Sequence, residues 1–210
     1  MQAPDLIERA VPGRRSELKR GILRQALTCF NEAGIEATTI ETIRARCDTS
    51  VGAIYHHFGN KEGIVAALFF AALDDQGALR DQHLSNAHTA AQGVAALVRS
   101  YVEWVDAEPD WARFVFQGRF AVANGPFKEE LLSRNQQRNR QLSEWMTGEG
   151  RREAFSHIPA ELLPSLIIGA AESYARAWLS GRVKHSPTAY ADLLAQAAWA
   201  SIMHTPHSDG

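Results

Sequence analysis

Hydrophobic residues recur at three- and four-residue spacing along nearly the whole chain, and no stretch of any length alternates with the two-residue period of a strand. Glycine and proline fall between these periodic segments, where they end helices. The pattern predicts an all-α protein with about nine helices. The predicted helices span residues 14–33, 40–47, 51–58, 61–83, 88–107, 110–123, 126–148, 159–182 and 187–204.

The first three helices have recognisable cap residues at their ends. Gly34 is a natural C-terminal stop for the first helix. Thr38 and Thr39 are both competent N-caps for the second helix, and Ser50 is one for the third. A longer helix followed by two short helices joined by a few residues forms a helix-turn-helix pattern, which on its own also occurs in many other helical proteins.

The helix over 51–58 has one apolar and one mixed face. Ile54 and Phe58 lie four residues apart and are expected to face a three-helix core. The expected partners in that core are Leu27, Phe30, Ile40 and Ile43. The outward face then carries Val51, Gly52, Tyr55 and His56. Glycine and small residues beside Tyr and His suit a close approach to a DNA major groove.

Residues 19–69 contain motifs that are more specific than the helix lengths. They read K-R-G-I-L-R-Q-A-L-T-C-F-N-E-A-G, then T-T-I-E-T-I, then T-S-V-G-A-I-Y-H-H-F-G-N-K-E. Over about 50 residues this resembles the DNA-binding domain of the TetR family, most specifically in the block Tyr55–Phe58 followed by Asn-Lys-Glu. The resemblance implies a helix-turn-helix DNA-binding domain over residues 1–62. The helical remainder, 63–210, has the length of that family's ligand-binding and dimerisation domain.

The resemblance also implies which residues meet DNA. The positions that correspond to groove-reading residues are Val51, Gly52, Ala53 and Tyr55, and those that correspond to phosphate-contacting residues are Thr39, Ser50, His56 and Lys61. A cation such as Lys61 at a helix N-terminus opposes the helix dipole at a cost of about 0.3–1 kcal/mol. A bound phosphate would reverse that sign, whereas the alternative is an ordinary solvated lysine.

The outward face of helix 51–58 carries no Arg, Lys, Asn or Gln, the side chains that read base edges bidentately. Our hypothesis is therefore that readout relies on Tyr55, on Val51 and Ala53 touching thymine methyl groups, and on DNA shape. The turn before this helix departs from the family pattern. Arg44 and Cys47 stand where alanine is usual, and Asp48 stands where glycine is usual. We expect Arg44 to reach solvent or DNA and Asp48 to adopt a left-handed turn conformation.

Charge adds little to the case for DNA binding. The chain has a net charge of −2, and residues 1–63 hold nine Lys/Arg against eight Asp/Glu, a net of +1. One basic cluster stands out, opposed in its own stretch only by Glu17; it consists of Arg14, Arg15, Lys19, Arg20 and Arg24. Such a cluster is expected either beside phosphates or on a solvated helix face.

The helix over 110–123 is apolar nearly all round, as a central helix of a bundle would be. Together with aromatic residues elsewhere it predicts an aromatic-rich core. In the family that this chain resembles, the region encloses a small-molecule cavity, which favours a pocket for a small apolar or aromatic effector. The expected lining is Tyr101, Trp104, Phe116, Phe120, Tyr174 and Trp178, with Gln117 or Arg119 as a polar anchor. Glu172 and Arg176, four apart, are expected to pair with each other.

The last two predicted helices, 159–182 and 187–204, carry small and apolar residues suited to helix packing. These are Leu166, Ile167, Gly169, Ala170, Ala171, Leu194, Ala197, Ala198, Ser201 and Ile202. The resemblance implies that they form a four-helix bundle with the same pair in a second subunit. A two-fold dimer of this kind places two helix-turn-helix motifs on a palindromic operator in double-stranded DNA.

Other functions find little support in the sequence. We see no paired carboxylates on a shared helix face, metal-ligand spacing, nucleophile elbow or phosphate loop, so we expect neither an enzyme nor a cofactor. His56 and His57 are adjacent on a helix and point about 100° apart, so they cannot chelate one metal together. With no apolar run long enough for a membrane span, no signal peptide and only two cysteines, the expected location is the cytoplasm.

Overall fold

The computed structural model describes residues 5–205, and within that range there are eleven α-helices and no strand. The helices are α1 (Leu6–Ala10), α2 (Glu17–Ala33), α3 (Ile40–Ala45), α4 (Val51–Phe58), α5 (Lys61–Ser85), α6 (Ala90–Ala107), α7 (Pro109–Asn124), α8 (Lys128–Met146), α9 (Arg152–Phe155), α10 (Leu163–Leu179) and α11 (Ala191–Met203). Short 3₁₀ turns at Arg14–Ser16 and Pro187–Tyr190 precede α2 and α11. The all-α prediction is confirmed.

The expected count of nine helices was too low by two. The additional helices are α1, with five residues, and α9, with four. Segments this short hold barely one helical turn, so hydrophobic periodicity cannot reveal them. They form because tertiary packing buries their apolar side chains, Leu6 and Ile7 in α1 and Phe155 in α9.

The predicted caps are present at the ends of α2, α3 and α4. Gly34 has a φ of +84° and its N–H donates to the Phe30 carbonyl at 2.9 Å. Thr39 Oγ1 accepts from the Thr42 N–H, and Ser50 Oγ accepts from the Ala53 N–H, both at 3.1 Å. These side-chain acceptors satisfy N–H groups that have no partner inside the helix.

The expectation for Asp48 was wrong. Throughout residues 5–205, every residue with a positive φ is a glycine, so Asp48 does not adopt a left-handed conformation. The turn between α3 and α4 is instead built without such a residue, which removes any need for the glycine that the family usually has there. Arg44, in contrast, is exposed, as predicted.

The chain divides into two compact units. The first comprises residues Met1–Asp75 and Asp110–Arg134, and its core includes Phe30 and Phe114, whose rings stack with centroids 5.7 Å apart. Both rings are fully buried. The apolar side chains that share this burial are Ile22, Leu23, Ile43, Ile54, Ile64, Leu68 and Phe69. The three-helix core predicted around Ile54 is thus part of this unit.

The N-terminal helix α1 is attached within the first unit by apolar and ionic contacts. Leu6 and Ile7 are buried, and Asp5 caps the helix by accepting from the Glu8 N–H at 2.7 Å. Arg9 donates to both carboxylate oxygens of Asp75, near the end of this unit's part of α5, at 2.8 and 3.0 Å.

The second unit comprises Gln76–Pro109 and Asn135–Gly210, and α6 packs there against α10 and α11. Its core includes the fully buried Val94, Val98, Val102 and Ile202. The indole of Trp145 lies directly on the α6 backbone, because a Cβ at Gly93 would come within 1.9 Å of the ring. Over residues 5–205, no helix is both long enough and apolar enough to cross a bilayer.

Candidate nucleic-acid interface

Helix α4 has the two faces that the sequence predicted. Ile54 is completely buried, and the next residue, Tyr55, is turned about 100° away from it and is 48% exposed. Gly52 and His56 are also exposed, while Val51 and Ala53 are half-buried. A short helix with a small, partly apolar outer surface and one projecting tyrosine has the shape required to enter a major groove.

The other end of α4 differs from the expectation in one respect. Phe58 is only half-buried, and the Lys19 ammonium lies 5.7 Å from the centroid of its ring. This cation–π contact at the edge of the core joins α2 to the last residue of α4. Lys19, in the first turn of α2, therefore lies beside the last residue of the candidate DNA-reading helix.

Thr39 and Ser50 stand at the N-termini of α3 and α4, and both side chains are exposed. Each hydroxyl caps its own helix, and Thr39 Oγ1 also lies 3.0 Å from Thr42 Oγ1. Capping uses a hydroxyl as an acceptor, so its O–H remains able to donate to a phosphate oxygen. The positions expected to contact phosphates thus have a structural role of their own.

Lys61 has contacts that the sequence did not suggest. Its ammonium donates to the carbonyls of Ile35 and Glu36, at 2.9 and 3.3 Å. The side chain is half-buried and links the first residue of α5 to the loop between α2 and α3. It is therefore not an ordinary solvated lysine. An ammonium has three N–H donors, so one is left over after these two bonds.

The junction between α4 and α5 depends on two residues that sequence reasoning missed. Asn60 Oδ1 accepts from the Gly63 N–H at 2.8 Å and so caps α5. A Cβ at Gly63 would lie only 1.9 Å from the Phe58 carbonyl oxygen, at the end of α4. The signal available in the sequence was a glycine inside a helical pattern, which costs about 1 kcal/mol relative to alanine and so points to a packing reason.

Two of the five residues in the basic cluster of residues 14–24 are neutralised by acids within the first unit. Arg20 is buried and bonds to Glu17. Arg24 pairs with Asp5 at 2.9 Å and with Glu8 at 3.2 Å, two acids that are distant from it in sequence. The hydrogen bond from Arg20 lowers the pKa of Glu17, and the bond to Asp5 raises the pKa of Arg24. Exposed Arg14 and Arg15 remain from the cluster, together with half-buried Lys19.

The turn before α4 is held by an ion pair, Arg46 to Glu32 at 2.6 Å, which connects it to the end of α2. The two cysteines lie in the same region: Cys29 is buried and Cys47 half-buried. Burial raises the pKa of both thiols. Both therefore stay protonated at neutral pH, which makes them poor nucleophiles.

The six residues expected to line an effector pocket are divided between the two units. Phe116 and Phe120 belong to the first unit; Tyr101, Trp104, Tyr174 and Trp178 belong to the second. Phe120 is 77% exposed, whereas Trp104 is buried and the other four are half-buried. Gln117 and Arg119 are exposed. The Tyr174 hydroxyl donates to the His185 carbonyl at 3.0 Å, and the Tyr174 and Tyr190 rings meet edge to face.

Two open grooves lie on the second unit, and neither is formed by these six residues. The first, of about 560 Å³, is lined by the end of α5 and the start of α6, including His83 and Arg99. The second, of about 460 Å³, is lined by Glu103, residues 188–193 and Arg99. The ion pairs His83–Glu103 and Arg99–Asp192, at 2.9 and 2.8 Å, lie along them. The predicted pair Glu172–Arg176 is also present, at 2.5 Å.

The residues expected at a dimer contact fall into two groups. Ile167, Ala171, Ala198 and Ile202 are buried inside the second unit and face its own core. Ala170, Ala197 and Ser201 are exposed, and Leu166, Gly169 and Leu194 are half-buried. Sequence reasoning missed the larger exposed side chains of α11, Leu193 at 63% and Met203 at 55%.

Within residues 5–205, no group of three or more His, Cys, Asp or Glu side chains is arranged to hold a metal ion. His56 and His57 are both exposed, and their rings meet edge to face with centroids 5.3 Å apart.

The chain is similar to bacterial transcriptional regulators. Residues 22–68 match the family model described as bacterial regulatory proteins of the tetR family. The chain is 30% identical over 183 residues to the HTH-type transcriptional regulator BetI of Escherichia coli, covering 85% of this chain and 91% of BetI. It is 34% identical over 95 residues to the HTH-type transcriptional repressor KstR2 of Rhodococcus jostii, covering 45% of each chain.

Solved structures show the same fold. A TetR family transcription regulator from Marinobacter aquaeolei superposes with a TM-score of 0.74 at 17% identity, covering 90% of this chain and 96% of that one. FadR from Bacillus subtilis, in complex with stearoyl-CoA, superposes with a TM-score of 0.69 at 16% identity, covering 87% and 98%. The motif block, the extent of the match to BetI and the fold agree, and the chain belongs to the TetR family of bacterial regulatory proteins, which are DNA-binding transcriptional regulators and not enzymes.

Proposed function

We propose that this protein is a ligand-responsive repressor that binds a palindromic operator as a homodimer and releases it when a small, largely apolar effector binds. The observation that carries the proposal is the construction of α4. Ser50 caps the helix and Ile54 anchors it, so Gly52, Tyr55 and His56 are presented to the outside on a rigid element.

The DNA contacts follow from this arrangement. Val51, Gly52, Ala53 and Tyr55 read the groove, with thymine methyl groups and the shape of the DNA carrying the specificity. Thr39, Ser50, His56 and Lys61 bind phosphates. For Lys61, the third N–H of the ammonium would be directed to a phosphate while the other two hold the Ile35 and Glu36 carbonyls.

The dimer forms through α10 and α11. Support comes from the outer face of α11, where Leu193, Ala197, Ala200 and Met203 are all exposed at helical spacing. An apolar face of this length is expected to be covered by another protein surface. A second copy of the same helix pair fits, because a two-fold dimer carries two α4 helices for the two half-sites of a palindromic operator, which lie about one DNA turn, roughly 34 Å, apart.

The effector is proposed to be largely apolar. Support comes from the aromatic side chains of the second unit, namely Tyr101, Trp104, Tyr174 and Trp178, and from stearoyl-CoA in the structure of Bacillus subtilis FadR. A ligand releases DNA only if it binds more tightly to a state that does not fit the operator. The alternative is a regulator that binds DNA in the same way but answers to a protein partner, or to nothing, and not to a small molecule.

Selection of bound duplexes from random double-stranded DNA tests the operator claim. We expect an inverted repeat to be enriched by the wild-type protein, and Tyr55→Ala to abolish that enrichment while the protein keeps its helix content. Enrichment of a single unrepeated site would contradict the dimeric operator. No enrichment at all, from protein shown by circular dichroism to be folded, would contradict the DNA-binding function itself.

A gel-shift titration on the selected duplex tests the effector. Long-chain acyl-CoA thioesters and fatty acids are the first probes, with free coenzyme A as the polar control. Release by an acyl compound and not by coenzyme A supports an apolar effector. If the operator stays bound across acyl, aromatic and steroid probes, the regulator that answers to no small molecule is favoured.

A further inference from the structure

The five residues of the basic cluster, at 14–24, do not share the same surroundings. Arg20 and Arg24 are engaged with Glu17, Asp5 and Glu8. Arg14 and Arg15 are exposed, and neither has an ionic or hydrogen-bonding side-chain partner among residues 5–205. Two adjacent guanidinium groups repel each other, and an anion bound to both would remove that repulsion.

The turn that carries Arg14 and Arg15 is held rigidly. The Arg20 guanidinium donates to the carbonyls of Val11 and Gly13, at 3.0 and 2.7 Å. Ser16 Oγ donates to the Pro12 carbonyl at 3.1 Å. Hydrogen bonds from Arg20 and Ser16 thus hold the backbone carbonyls of three consecutive residues, 11 to 13, just before Arg14. Because the turn is already ordered, less conformational entropy is lost when a partner binds to it.

The turn leads directly into the part of α2 that contacts α4. Arg15 precedes Lys19 by only four residues, so the chain itself keeps the two close together. The Lys19 ammonium sits 5.7 Å from the ring centroid of Phe58, the last residue of α4. A duplex that receives α4 in its groove would therefore bring its backbone close to this turn.

We infer that Arg14 and Arg15 form a second DNA contact, on backbone phosphates that flank the bases read by α4, and that buried Arg20 is its positioning residue. This inference rests on the proposed DNA-binding function. Arginine suits phosphate because its planar guanidinium donates two parallel hydrogen bonds and stays charged. The contact supplies affinity without sequence preference, in keeping with an α4 face that has no bidentate base reader.

The test compares Arg14→Gln/Arg15→Gln with wild type on the duplex that wild type selects from random DNA. The dependence of log Kd on log salt is measured for each protein. We expect the slope to become shallower by about 0.9 for each phosphate that the variant no longer neutralises, counted over both subunits of a dimer, with the preferred sequence unchanged. The matched control is Arg182→Gln/Lys184→Gln, which removes two positive charges from the second unit and should leave the slope unchanged.

The outcomes separate this inference from the proposed function. If wild type selects no duplex, the DNA-binding function fails. If wild type binds but the Arg14/Arg15 variant retains its slope, or the control variant shows an equally shallow slope, the second contact is overturned. An altered sequence preference in the Arg14/Arg15 variant would also overturn it, because phosphate contacts carry no base information.

The positioning role of Arg20 is tested by Arg20→Lys, which keeps the charge but cannot hold two carbonyls and a carboxylate in one plane. We expect it to weaken binding and flatten the salt slope in the wild-type background, and to have no further effect on the slope in the Arg14→Gln/Arg15→Gln background. Equal effects in both backgrounds would show that Arg20 acts on the fold alone. Thermal melting of all four proteins records any reduction in stability separately.

Discussion

At the scale of single residues, the position of the C-terminal end of α4 depends on the absence of a side chain at Gly63. A Cβ there would meet the Phe58 carbonyl oxygen at 1.9 Å, a backbone atom that cannot rotate away. We expect Gly63→Ala to lower the free energy of unfolding by about 1–3 kcal/mol, the usual cost of overpacking, and to weaken operator binding because the end of α4 must shift. Denaturant unfolding and a gel shift measure the two effects.

Gly21→Ala is the matched control for Gly63→Ala. Gly21 lies inside α2, and a Cβ there would meet no atom within 4 Å. Replacing a helical glycine by alanine without a clash is expected to stabilise the protein by about 0.5–1 kcal/mol. If both substitutions change stability in the same direction, the close approach at Phe58 does not determine how α4 is placed.

Ser50 combines capping with a proposed phosphate contact, and two substitutions separate these roles. Ser50→Ala removes the acceptor for the Ala53 N–H and should cost about 1 kcal/mol of stability. Ser50→Asp keeps a good cap but places a negative charge next to DNA. We expect thermal melting to show that Asp is more stable than Ala, while gel shifts show that Asp binds operator more weakly. Equal operator binding by the two variants would contradict the phosphate contact.

Several of these residue roles were visible in the sequence and others were not. Ser50, Thr39 and Gly34 are recognisable because capping depends on residue type and on a few neighbouring positions. Lys61 was assigned to phosphate without its bonds to Ile35 and Glu36, since partners 25 and 26 positions away leave no periodic trace. The neutralisation of Arg24 by Asp5 and Glu8 was missed for the same reason.

At the scale of elements, Lys61 fastens α5 to the loop between α2 and α3. We expect Lys61→Met, which keeps the aliphatic stem, to reduce stability by about 1–3 kcal/mol, since the partly buried Ile35 carbonyl and the exposed Glu36 carbonyl lose a charged donor. Lys61→Arg keeps the charge and should retain more operator affinity than Met does. Unfolding curves and the salt dependence of operator binding provide the measurements. A Lys61→Met variant with wild-type stability would contradict the fastening role.

The docking of α1 is expected to depend on pH through its cap residue. Burial alone would raise the pKa of Asp5, but the Glu8 N–H and the Arg24 guanidinium outweigh it and lower that pKa below the usual 3.8. A carboxylate with a lowered pKa stabilises the fold above its unfolded pKa, and this contribution is lost as the pH falls through the lower folded value. The stabilisation that Asp5 provides is therefore lost as the pH falls below about 3.8.

Asp5→Asn isolates this contribution, because asparagine caps a helix as well as aspartate but does not titrate. We expect thermal melting to show that wild type is the more stable protein at pH 6 and that the difference shrinks as the pH falls below 3.8. Glu17, whose pKa is lowered chiefly by Arg20, is present in both proteins, and Asp5 is the smallest influence on it, so its contribution largely cancels from the comparison. A constant difference between pH 6 and pH 2.5 would contradict the ionic contribution of Asp5.

At the scale of the whole molecule, the all-α class and most helices were predictable because amphipathic helices longer than two turns repeat their pattern several times. The five-residue α1 and four-residue α9 were not, because they exist through packing. Periodicity also cannot say which face of a helix meets which neighbour. The apolar residues named for the dimer contact in α10 and α11 accordingly included Ile167, Ala171 and Ile202, which belong to the core of one chain.

The proposed dimer rests on the exposed face of α11, and a charge placed there should abolish it. Leu193→Glu and Met203→Glu change side chains that are 63% and 55% exposed in one chain, so folding of the subunit should be unaffected. Leu132→Glu is the matched control, the same substitution at a leucine that is 51% exposed on α8. Sedimentation should find dimers for wild type and the control, and monomers for the α11 variants.

Operator binding should follow the assembly state. Two linked half-site contacts bind as if the second were at high local concentration, so separating the subunits is expected to lower affinity for the palindrome by about 100-fold or more. Binding to an isolated half-site should change little, because α4 and its caps are untouched. If the α11 variants stay dimeric while Leu132→Glu becomes monomeric, the subunits meet through α8 instead, and the spacing of the two α4 helices must be set by that surface.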